Sequence, residues 1–198
     1  ILATRGLITR YPESERLIHS QIANYKEYNS RSFDSLHGRS FDSSKKKKVA
    51  LIGDSYAKDF LNIAIKSDLF VNVQFSTLQV NSECGNLYLK NYEEIEIKIP
   101  KKRLSRCRFL NWYGNENTLK ILSDADEIWL VSDWKLWVIE YLPRSINNLS
   151  TQFEVPIRVF GTKNFGVIKP YDLISIPIEN RAHTRRQVSE QSIAVSQK

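Results

Sequence analysis

Residues 49–57 read Val49-Ala50-Leu51-Ile52-Gly53-Asp54-Ser55-Tyr56-Ala57, and the change of period within this stretch decides the fold. Four apolar residues in unbroken succession suit a strand buried on both faces. Gly53-Asp54-Ser55 ends that run abruptly. Beyond it, Phe60, Leu61, Ala64 and Ile65 form one apolar stripe at helical spacing, so residues 56–67 are expected to be a helix. The same alternation recurs downstream. Strands are expected at 69–75, 127–131 and 157–160, and helices at 117–123 and 135–153, the last kinked or divided at Pro143. Short apolar strands alternating with helices imply an α/β fold, a parallel sheet with helices on both faces.

Either side of this pattern the text is less regular. Residues 1–44 form an approach segment, with helical spacing over 13–28 and a linker rich in Ser, Arg, Asp and Gly over 29–44. Residues 45–198 form the domain proper. Within it, 76–115 is a long polar excursion holding Cys84, Cys107 and the alternating Ile95, Ile97 and Ile99, which reads as strand-like. Residues 162–179 are loop-like, and 184–196 has the spacing of a final helix.

In parallel sheets ligands bind outside the carboxyl ends of the strands. Gly53-Asp54-Ser55, Ser132-Asp133-Trp134 and Gly161-Thr162-Lys163 all follow such ends. A serine there stands at the first turn of a helix, where its backbone N–H could stabilise an oxyanion. Asp54 or Ser55 could equally be a plain helix cap. The two common phosphate-binding turns are absent at this place: there is neither Gly-x-Gly-x-x-Gly nor Gly-Lys-Ser/Thr.

The chain has 198 residues, 41% of them hydrophobic, enough for one core of ordinary size. No run approaches the roughly 18 apolar residues of a membrane span. It starts on Ile1 and contains no methionine, so it reads as an excerpt of a longer protein, with any targeting or membrane segment upstream. The net charge is +7 and the pI about 9.4, but the basic residues are scattered over 45–48, 101–108 and 181–186 as surface charge, and no nucleic-acid partner is expected. Three dispersed histidines and two cysteines offer no close-spaced metal ligands, and neither metal nor cofactor is expected. Cys84 and Cys107 are either free and buried or joined in one disulfide, which would require an oxidising compartment.

The block from Val49 to Ala57 resembles the first motif of the SGNH (GDSL-type) hydrolase superfamily, whose fold is a three-layer, flavodoxin-like α/β/α sandwich. The likeness runs over about 45–165 and is nearest to the extracytoplasmic SGNH-like domains joined to membrane acyltransferases that O-acetylate cell-surface polysaccharides. Such domains often carry a cysteine pair after the second strand, as Cys84 and Cys107 stand here, and a tryptophan after the third, as Trp134 does. A Gly- and Arg-containing segment commonly precedes them, as in Arg5-Gly6-Leu7-Ile8-Thr9-Arg10.

The resemblance implies a serine-dependent esterase or O-acetyltransferase. Ser55 is its nucleophile, the N–H groups of Ser55 and Gly85 are oxyanion donors, and carbohydrate and an acyl donor are the partners. Asp54, Tyr56, Ser132, Asp133 and Trp134 would line the substrate, with Trp134 stacking on a sugar ring. Two departures stand out. Ser132-Asp133-Trp134 occupies the place of the family's asparagine donor, and the late Asp-x-x-His motif is absent. The resemblance therefore puts that motif beyond Lys198, with the domain truncated at its C-terminal end; the alternative base is His183, the one histidine late enough in chain order. His19 and His37 fall in the approach segment and are expected at the surface. The competing reading is a catalytically silent, glycan-binding module.

Overall fold

The computed structural model describes residues 12, 13, 16, 25–67, 69–109, 112–161, 176, 177 and 180. The chain divides into two compact units, one of residues 29–162 and one of 1–28 with 163–198. The elements run α1 (Tyr25–Ser35), β1 (Lys47–Gly53), α2 (Ser55–Lys66), β2 (Val73–Gln79), α3 (Glu93–Glu96), α4 (Lys101–Phe109), α5 (Glu116–Asp124), β3 (Glu127–Val131), α6 (Leu136–Phe153) and β4 (Ile157–Phe160). The four strands form one parallel sheet in the order β2-β1-β3-β4.

Strand alternation builds the layers. Val49 and Leu51 of β1, with Trp129 and Val131 of β3, pack against Phe33 of α1 and Ala57 and Leu61 of α2. Ala50, Ile52, Ile128 and Leu130 point the other way, onto Ile121 and Leu122 of α5 and Leu149 of α6. Both faces of the central strands are therefore covered, which is why β1 and β3 read as continuous apolar runs. The result is a three-layer α/β/α sandwich.

Several elements differ from the sequence expectation, each for a local reason. The linker expected at 29–44 begins as helix: α1 continues to Ser35, because Phe33 is fully buried against the sheet. After it, Leu36–Gly38 lies along the outer edge of β2, with the Thr77 N–H donating to Leu36 O and the Gly38 N–H to Thr77 O. That pairing protects an edge that would otherwise be open. Strand β2 starts four residues later than its apolar text suggests. Leu69 and Val71 are 75% and 58% exposed in the preceding turn, while Ser76 and Thr77 are wholly buried in the strand. Thr77 is accommodated because its hydroxyl donates to Phe33 O at 2.6 Å. Helix α6 runs unbroken through Pro143. The carbonyl that the proline leaves without a donor belongs to Ile139, on a half-exposed turn that water can reach.

The excursion between β2 and α5 is a small helical lobe, not a strand. Ile95 and Ile99 are buried and Ile97 is 87% exposed, a helical spacing rather than an alternation. Cys84 and Cys107 form a disulfide with Cα atoms 5.4 Å apart. Together with Leu87, Ile95, Ile99 and Val138 they make the lobe's own core. In the chain-entropy model a loop of this length gains about 3 kcal/mol from closure. The bond is compatible with an extracellular setting. Among the described residues no helix is long and apolar enough to cross a membrane.

At the amino ends of the strands, Glu127 of β3 is a buckle. Its buried carboxylate meets Lys47 of β1 at 2.5 Å and Arg158 of β4 at 2.8 Å, and accepts from the Trp129 indole N–H. The Arg158 bonds foremost, then those from Lys47 and Trp129, hold its pKa down at about 2 against the cost of burial. A depressed carboxylate stabilises the fold above its unfolded pKa and loses that contribution as pH falls through its folded one. Because both cations are half-exposed, the shift is discounted for solvent screening. Glu127→Gln should cost about 2 kcal/mol near pH 7 by urea unfolding, and the gap from wild type should close as the pH drops from about 4.5 toward 2.

Candidate functional site

The exits of β1 and β3 lie side by side, where the strand order reverses, and it is there that the residues of interest gather. Gly53 ends β1 against the backbone of β3. A Cβ at this position would lie 1.8 Å from Val131 O, so any side chain would push the two strands apart. Close approach, rather than a left-handed turn, is what requires glycine here.

Asp54 follows as the N-cap of α2, and is 5% exposed. One carboxylate oxygen accepts from the Tyr56 N–H and the other from the Asp133 N–H, each at 2.9 Å. The second bond crosses from β1 to the loop after β3. Both oxygens are thus engaged within the protein. Burial foremost raises the Asp54 pKa; the two N–H bonds oppose that rise, and the neighbouring Asp133 adds to it.

Ser55 is the first residue of α2 and is exposed. Among the described residues nothing hydrogen-bonds its hydroxyl. Its N–H is one of the donors that a helix leaves unpaired at its amino end. Tyr56 beside it is half-buried, and its phenol is pushed up by burial first and then by Asp133 and Asp54. Asp133 forms an ion pair with Lys135, which raises the lysine's pKa. Asp54, Tyr56, Asp133 and Lys135 therefore act on one another as a single electrostatic cluster around the Ser55 turn.

Ser132 is buried and accepts a hydrogen bond from Asn86 Nδ2 at 3.0 Å. The same amide donates to Ile52 O, and its oxygen accepts from the Tyr113 hydroxyl at 2.7 Å. Both amide protons of Asn86 are engaged, leaving it a positioning group between β1 and the β3 exit. Burial raises the Tyr113 pKa, keeping the phenol protonated to donate. Trp134 donates its indole N–H to Phe160 O at 2.7 Å and packs against two core clusters while staying half-buried. Gly85 adopts φ +75°, and a Cβ there would meet the Trp137 ring at 2.8 Å. It precedes Asn86 in the chain and lines the cavity between the disulfide lobe and α6, whose walls do not include Ser55.

His183 and His19 lie outside the described residues. His37 is exposed in the segment along β2. Among the described residues no group of three or more His, Cys, Asp or Glu could hold a metal ion. No protein-family model and no curated protein matches the chain.

Sequence reasoning passed over Asn86, Tyr113 and Lys135. Asn86 and Tyr113 sit in the polar excursion, where no periodicity marks them. Lys135 has a sequence signal only in hindsight, as the residue that pairs Asp133 two positions away at the cap of α6.

Because Asp54 satisfies two backbone donors from separate elements, its loss should be felt in stability. Asp54→Ala should cost about 2–4 kcal/mol and Asp54→Asn about half that, since an amide oxygen can keep one of the two bonds. Guanidinium unfolding of both variants checks the order.

Proposed function

We propose that this chain carries a serine acyl-transfer site of the SGNH type at Ser55, acting on acyl esters of cell-surface carbohydrate as an O-acetyltransferase or esterase. The observation that carries the reading is the exposure of Ser55, at the amino end of a twelve-residue helix where β1 ends beside β3. The strand, Gly-Asp-Ser, helix sequence is the one that the family resemblance rests on.

In this reading Ser55 Oγ attacks the acyl carbonyl and its proton passes to a base; His183, the histidine the sequence offers for that role, lies outside the described residues. The tetrahedral oxyanion is met by the Ser55 N–H and the field of α2, with Gly85 as second donor. Collapse expels the alcohol and leaves an acyl-serine, which water or a sugar hydroxyl then relieves. The extracellular setting compatible with the disulfide suits a domain joined to a membrane acyltransferase.

One observation favours the silent, glycan-binding alternative. At the β3 exit the Ser132 hydroxyl takes a bond from Asn86, and Asn86 has no amide proton left for an oxyanion. Absence of one donor typically costs about 10²–10³ in rate, which slows an esterase without abolishing it. Hydrolysis of p-nitrophenyl acetate by the chain and by its Ser55→Ala variant separates the two. The acyl-transfer reading predicts turnover that falls to background in the variant; equal rates for both proteins would contradict it and leave the silent module.

A further inference from the structure

A cavity of about 650 Å³ opens between the disulfide lobe and α6; Gly85 is among its walls and Ser55 is not. Its size lies within the roughly 300–1,000 Å³ of small-ligand pockets. Helix α6 lines it with Asn147, Asn148, Thr151 and Gln152. These are two adjacent i, i+4 columns on one helix face. All four are uncharged, and Asn147, Thr151 and Gln152 are exposed. A solvated helix face more usually carries charged residues. The Nδ2 of Asn148 donates to Tyr88 O at the cavity wall.

Tyr88, Tyr92 and Tyr113 supply aromatic surface to the same space. The rings are held: Tyr88 and Tyr113 pack edge to face at 5.2 Å, and the Tyr92 hydroxyl donates to Cys84 O at 3.0 Å. Burial, then Glu96, pushes the Tyr92 phenol up to about 12, so it stays neutral. The charged groups in the lining, Lys90 and Arg108 against Glu93 and Glu96, balance, and Arg108 is paired with Glu96. In a chain of net charge +7, this cavity sets up no field that would select an anion.

We propose that the cavity binds a neutral oligosaccharide. Fixed tyrosine rings offer platforms for the apolar face of a sugar. Amides and a hydroxyl, which both donate and accept, match the hydroxyls around its rim. For its ligand class the inference rests on the carbohydrate reading above, but it adds a docking place that shares Gly85 with that site, excludes Ser55 and needs no acyl chemistry for binding. The wall is joined to the candidate site through Tyr113, Asn86 and Ser132, which are hydrogen-bonded in series.

The test is a glycan array of neutral and acidic oligosaccharides probed with the full chain, followed by calorimetric titration of a retained sugar. The wild type should retain neutral glycans. Asn147→Ala should weaken binding about tenfold, and Thr151→Trp, which fills the cavity from an exposed position, should abolish it. Ser55→Ala should bind as the wild type does, so failure of the acyl-transfer reading leaves this result intact. Retention of no glycan or of acidic glycans alone, binding indifferent to Asn147→Ala and Thr151→Trp, or binding lost in Ser55→Ala would each overturn the proposal.

Discussion

The carboxylate of Asp54 holds three pieces of chain in one arrangement: the end of β1, the first turn of α2 and the loop that leaves β3. Its two oxygens each take a backbone N–H at 2.9 Å, one local and one from Asp133 across the strand reversal. Gly53 lets this happen by bringing β1 so near to β3 that a methyl group would collide with Val131 O. Ser55 is consequently presented on a turn that is fixed from below, while its own hydroxyl stays in solvent. A buried carboxylate with no such partners would be costly. With them it trades some of its acidity for the geometry of the turn.

The two ends of the sheet use charge differently. At the amino ends, Glu127 is clamped by cations from the strands on either side, and the pairing holds its carboxyl at about 2. That end is built for stability. At the carboxyl ends, the acids are held by backbone N–H groups and by one lysine, and Tyr56, Asp133 and Lys135 remain partly exposed. The disulfide lobe stands beside this second end and carries its own small core, sealed by Cys84 and Cys107. Asn86, from that lobe, reaches into β1 and the β3 exit. A covalently stapled excursion thus helps set the shape of the sheet edge.

The sandwich was legible wherever burial imposed a period. Strands β1 and β3 lie in the middle of the sheet, so their apolar runs are unbroken, and α2 buries Ala57, Leu61 and Ala64, although Ile65 of the expected stripe is half-exposed. Legibility failed where the signal was short or borrowed from elsewhere. Leu69-Phe70-Val71 looks like strand but forms the approach to one, because pairing with β1 sets the register of β2 from Val73. Three isoleucines at alternate positions read as strand, yet only the pair spaced by four is buried. At the candidate site, Ser55 and Asp54 were marked by the motif they belong to. Asn86 was not, because its role comes from Ile52, Ser132 and Tyr113, which are distant in sequence and meet only in the fold.

If Ser55 is a nucleophile, its turn presents a reactive hydroxyl rather than a solvated cap. Treatment of the folded chain with a fluorophosphonate, followed by peptide mass mapping, tests this most directly. A nucleophilic Ser55 should give one covalent adduct, on the peptide containing Ser55. A chain that stays folded through the treatment and carries no adduct at Ser55 would contradict it.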